Sequence, residues 1–220
     1  MTIPVTGPIS MTALGNEEGV PLSSLDMNGE LRWLANKPDP NTAINFSDFR
    51  NKFKIRAGHV MITYTFTDGN DMDTRTRIVM PSTSQYVGWG QNNTIGDYLF
   101  FGGDNTGVGT ESALINMGAL SSAFGGLTKV KIDCRAQWYD RPGANPVVLS
   151  LVLWEGGTPV KSGFAWENPT AVHAATINSL GKVVSLQSTN TSSLGDRVGV
   201  LVYDVTHGTG YVDENDTNSY

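Results

Sequence analysis

At 220 residues the chain has room for one domain of ordinary size plus a smaller appendage, and a chain of that length buries roughly 70% of its unfolded surface without a disulfide or metal staple. Its formal net charge of -6 argues against electrostatic capture of nucleic acid or of an anionic membrane surface. Charged residues are sparse, glycine numbers 25 and Ser, Thr and Asn are plentiful, which favours strands and turns over long helices.

Residues 1–54 have a texture of their own. The phrases Pro8-Ile9-Ser10-Met11, Pro21-Leu22-Ser23-Ser24 and Ile44-Asn45-Phe46-Ser47-Asp48-Phe49 each set an apolar residue beside a serine able to cap a short helix. After Ser23 the spacing of Leu25, Leu31, Trp33 and Leu34 predicts a short helix, weakened by Gly29. After Ser47, Asp48 falls in a first turn and Arg50, Lys52 and Lys54 near the end, as a helix dipole favours. The prolines at 38 and 40 close the first of these helices. So few apolar anchors hardly support a free-standing fold. The segment either caps the β domain or orders against a partner subunit, and the second reading is preferred. Its docking residues are then Ile9, Leu14, Leu22, Leu25, Leu31, Trp33, Leu34, Phe46 and Phe49. The first five residues lack the basic region and apolar stretch of a signal peptide, so synthesis in the cytoplasm without secretion is expected. No apolar run approaches the ~20 residues of a membrane helix, and no membrane insertion is expected.

From His59 the period becomes two. Val60, Ile62, Tyr64 and Phe66 alternate with more polar residues, a strand with one buried face. The acidic turn from Asp68 to Asp73 follows, then a strand through Thr76–Met80 and a short aromatic stretch at Tyr86–Trp89. Tyr98–Phe101 reads as a strand, and Ser112–Ile115 as the next. Between them lies a turn with Asp104 and Asn105, where Gly102, Gly103, Gly107 and Gly109 permit positive φ. Residues 117–126 read as loop or one helical turn. Strands are expected at 128–138 and 146–155, the latter central and covered on both faces because Val147–Trp154 is nearly all apolar. The turn Glu155-Gly156-Gly157-Thr158 predicts a hairpin to a strand at 158–166. Residues 171–180 read as short helix or loop, and 182–187 and 197–205 as strands. The polar stretch from Thr209 is expected to fray, leaving 55–212 as the β domain and 213–220 as a flexible tail. The expected fold is an antiparallel β-sandwich, jelly-roll-like.

No nucleophile motif of the G-x-S-x-G type is present, His59, His173 and His207 lack metal-ligand spacing, and no glycine loop continues into the Lys-Ser/Thr of a phosphate cradle. Two carboxylates are enough for a glycosidase, so Asp71, Asp73, Asp104 and Glu111 keep a glycan-cleaving option open. The same turns supply hard oxygen ligands for calcium: Asp68, Asn70, Asp71, Asp73, Asp104, Asn105 and Glu111, with Arg75 and Arg77 as competing neutralisers. Trp138 and Trp154 read as core by strand parity, whereas Trp89 and Trp166, flanked by glycines and Glu167, are candidates for stacking on a host-surface glycan. Cys134 shares a strand face with Val130, Ile132 and Ala136 and reads as a buried, inert thiol.

Two regions carry a resemblance. The opening through Ile44–Lys52 is similar to the start of many tailed-bacteriophage virion proteins, in which an Ile-Ser-Leu phrase precedes one of the Phe-Ser-Asp-Phe type. The stretches DGNDMDTRTRI and GDYLFFGGDNTGVGTESALI look like a domain often joined to such starts. The resemblance implies a virion structural protein of the tail, baseplate or fibre, a non-enzymatic homo-oligomer (trimeric or otherwise cyclic) bound to other virion proteins. No catalytic residue comes with it. A carbohydrate-binding host-adsorption module, a capsid decoration protein and a glycan-cleaving enzyme are the alternatives.

Overall fold

The computed structural model describes residues 55–213 and 216–219. The expected docking residues from Ile9 to Phe49, the two capped helices and the proline linker lie outside the described residues. Within them the chain is mainly β, with antiparallel sheets packed as a sandwich.

The first sheet is built from β1 (His59–Phe66), β4 (Thr94–Ile95), β5 (Leu99–Phe101), β6 (Gly109–Asn116), β8 (Val148–Glu155) and β11 (His173–Asn178). Their spatial order is β11-β8-β1-β6-β5-β4. The second holds β2 (Met72–Met80), β3 (Val87–Gly88), β7 (Lys129–Trp138), β12 (Asp196–Asp204) and β13 (Thr209–Asp213), in the order β13-β12-β7-β2-β3. A small hairpin of β9 (Val160–Ser162) and β10 (Ala165–Glu167) forms a third, two-stranded sheet.

Period-two patterning places the core between the sheets. Val60, Ile62, Tyr64 and Phe66 of β1 meet Val130, Ile132, Cys134, Ala136 and Trp138 of β7 there. Trp138 is fully buried, donates its indole N–H to Val184 O at 2.9 Å, and meets Phe66 edge to face at 5.9 Å. Tyr64 crosses the gap, its hydroxyl 3.0 Å from Arg75 O and 2.8 Å from Thr76 Oγ1. Cys134 is buried among these residues, as expected, and burial pushes its thiol pKa up.

A second apolar layer covers the outer face of the six-stranded sheet. Met61, Leu114 and Trp154 are buried there, with Phe100, Val152, Trp166 and Ala171 packed against them. Trp154 is therefore buried, but on the face opposite the main core. The other outward residues of β8, Val148, Ser150 and Val152, stay half-exposed, so this strand is not covered along both faces as its apolar run predicts.

Several further expectations are corrected. β8 does not form a hairpin with the strand after Gly157. It pairs with β1 and β11, because β9 and β10 close on each other and leave its edge to residues 173–178. Within 171–180, residues 173–178 are strand, and no helix forms there. Residues 182–187 make only isolated bridges, Val147 with Lys182 and Trp138 with Gln187. The stretch from Thr209 forms β13, because Tyr211 and Val212 pair with Val202 and Leu201 of β12. Farther on, Arg197 Nη1 donates to Asp216 O at 3.2 Å and Asn218 O at 2.7 Å. Residues 117–124 form a full helix, α1 (Met117–Phe124), capped by Asn116 Oδ1, which accepts from Ala119 N at 3.1 Å.

Candidate functional site

The two acidic turns meet at one end of the sandwich. In the first, Gly69 takes φ +81, and an added Cβ would fall 2.6 Å from the Trp138 ring. Only glycine fits that close approach. Asp71 has φ 55, a left-handed conformation that Asp and Asn tolerate best among residues with a side chain. Residues 139–145 brace the turn: Asp68 accepts from Ala144 N at 2.7 Å, Asn70 Nδ2 donates to Asp140 at 2.8 Å, and Tyr139 N donates to Asp71 O at 2.8 Å. β2 begins at Met72, earlier than the sequence pattern predicts, so Asp73 stands on a strand.

The second turn joins β5 to β6. Gly103 and Gly109 take positive φ, as expected, whereas Gly102 and Gly107 do not. Gly102 is needed for space instead: a Cβ would fall 2.3 Å from Ser112 Oγ and 2.4 Å from Phe164 O. Asn105 Oδ1 accepts from Gly107 N at 3.2 Å and so shapes the loop. Asp104 is left facing the first turn.

Carboxylate oxygens of Asp71, Asp73 and Asp104 consequently lie within 4.8 Å of one another. Glu111 adjoins them from β6. It is fully buried, and its Oε1 accepts from Asn105 N at 2.9 Å while Oε2 accepts from Thr74 N at 3.1 Å and from the Thr74 hydroxyl. Of the seven residues expected from sequence as oxygen ligands, four therefore converge. Asp68, Asn70 and Asn105 turn their side chains to bracing the two turns.

Crowding sets the electrostatics of this end. Burial pushes Glu111 up to about 8, against the opposing hydrogen bonds from Thr74 and Asn105. Burial pushes Asp73 up to about 7, with Arg75 acting in the other direction. Asp104 is raised by burial, an effect reduced by its hydrogen bond with Glu111, and Asp71 is raised by burial and then by Asp104 and Asp140. Arg75 is fully buried, yet none of its guanidinium nitrogens has a hydrogen-bond partner; the group lies over Trp89, 5.7 Å from the ring centroid.

The two tryptophans considered for glycan stacking each pack on another ring. Trp89 is half-buried and meets Tyr139 edge to face at 5.4 Å, and Trp166 meets Phe100 at 6.3 Å. Two of the histidines stand in separate pairs, His173 with Glu155 at 3.0 Å and His207 with Asp204 at 2.8 Å.

Sequence reasoning did not find a polar network on the outer face of β7. Asp133 is fully buried and accepts from Arg135 Nε at 2.8 Å, Arg197 Nε at 2.7 Å and the Tyr86 hydroxyl at 2.8 Å. Burial acts to raise its pKa, but the two arginines and the tyrosine outweigh that and hold the carboxyl below its ordinary value. The alternation that places Cys134 inward also places Asp133 and Arg135 outward, and that signal was available. The contribution of Arg197, 64 residues from Asp133 in the chain, was not.

No protein-family model, curated protein or solved structure matches the chain. Among the described residues no helix is long and apolar enough to cross a membrane.

Proposed function

We propose that the chain is a non-enzymatic structural subunit of a tailed-bacteriophage virion, a tail, baseplate or fibre component. Residues 1–54 dock it to other virion proteins, and the sandwich is the body it presents, repeated around a cyclic homo-oligomer. The Ile-Ser and Phe-Ser-Asp-Phe phrases of the N-terminal segment motivate this reading. The observation that carries it is the way the body holds the residues that lead into its first strand. Ile55 N donates to Gly208 O at 2.7 Å, the Tyr203 hydroxyl donates to Ile55 O at 2.7 Å, and Ala57 N donates to that same hydroxyl at 2.9 Å. The segment that precedes residue 55 is thereby joined to the body at a fixed point, as an attachment arm requires.

Deleting residues 1–54 tests the reading. The remainder is expected to fold, with an unchanged far-ultraviolet spectrum, and to be missing from assembled particles. Full incorporation of the truncated chain would overturn the proposal.

A further inference from the structure

Acidic groups gather at loop ends without any ion, so the proximity of Asp71, Asp73 and Asp104 is not sufficient by itself. The independent observation is Asp73. Its side chain is almost fully buried, at 1% exposure, and no donor reaches its Oδ1. Its other oxygen receives only a long 3.4 Å contact from Gln137 Nε2. The Oδ1 atoms of Asp71 and Asp104 are likewise shielded from solvent and without a donor from outside the cluster.

Nearby groups leave these oxygens unbonded, although the Arg75 charge acts on Asp73 from a distance. Arg75 makes no hydrogen bond to these carboxylates and faces Trp89. Both oxygens of Glu111 are engaged by Thr74 and Asn105. Asp140, beside Asp71, adds a further negative charge. Shielded carboxylate oxygens without a hydrogen-bonding or ligating partner are costly.

We propose that Asp71, Asp73 and Asp104 form a binding site for a hard divalent cation, calcium in preference to magnesium, where the start of β2 meets the β5–β6 loop. The donor set is all carboxylate oxygen, which suits calcium, magnesium or manganese and not the soft metals. The ligands come from a strand, a turn and a loop of two different sheets, an irregular set that calcium's flexible coordination accepts more readily than magnesium's strict octahedron. Bound there, the ion ties one sheet to the other. The site is independent of the proposed virion role and stands or falls separately from it.

The test is calorimetric titration of calcium chloride into chelator-treated full-length protein, together with thermal melting. Saturable binding is expected, and at about 100 times Kd the melting midpoint should rise by on the order of 5–10 °C. Asp73→Asn and Asp104→Asn should each weaken calcium binding by at least about tenfold. Should either fail to fold, Asp71→Asn replaces it, because Asn tolerates the φ of 55 at that position. Absence of binding at millimolar calcium, or unchanged affinity in the folded variants, overturns the site. Tighter binding of magnesium than of calcium overturns the preference.

Discussion

Glu111 and Thr74 join the two sheets of the sandwich: a carboxyl oxygen from β6 accepts both the backbone N–H (3.1 Å) and the hydroxyl of a residue on β2. The contact falls where β2 lacks a strand neighbour on that side, since β3 pairs with it only at Arg75 and Thr76. Glu111 thus satisfies an edge N–H that a sheet partner would otherwise take.

Replacing Glu111 by Ala leaves the Thr74 N–H, the Thr74 hydroxyl and the Asn105 N–H without their acceptor. A loss of about 2–5 kcal/mol in chemical denaturation is expected. Thr110→Ala, the outward neighbour on β6, should cost less than about 1 kcal/mol. Equal losses for the two would remove Glu111 from its bridging role.

The Asp133 network predicts a distinct acid profile. The folded-state pKa of Asp133 lies below its ordinary value, so its contribution is complete above the unfolded pKa of about 3.9 and is lost as pH falls through the folded one. Asp133→Asn should destabilise at neutral pH by about 2–4 kcal/mol, because Arg135, Arg197 and Tyr86 lose a common acceptor. The gap between wild type and variant should then narrow below about pH 4. A gap of constant size from neutral to acid pH contradicts the network.

Tyr203→Phe removes the hydroxyl that holds the junction at residues 55–57. A loss of about 1–3 kcal/mol is expected from two broken hydrogen bonds. Hydrogen exchange at the Ala57 amide should accelerate by more than that at Val60, inside β1. Uniform acceleration across both would mean that the clamp is not local.

The sandwich was legible wherever one face of a strand is buried. β1 and β7 read directly from their alternation, and the inward parity of Cys134 and Trp138 followed from it. The pattern failed at edges. β11 and β13 carry few apolar residues, so nothing local marks them, and they become strands through pairing with β8 and β12. Residues 182–187, with Val183, Val184 and Leu186, read as a strand yet make only two bridges. At the acidic end, residue type and turn chemistry identified Asp71, Asp73, Asp104 and Glu111 as oxygen donors. The division of labour was not legible: that Asp68 braces residues 144–145, and that Glu111 binds Thr74, depends on contacts 76 and 37 residues apart in sequence.

Cys134 gives the molecule a built-in clock. As the chain's single thiol, sealed between the layers, it can meet a labelling reagent only when they part. Its modification rate therefore counts openings of the body.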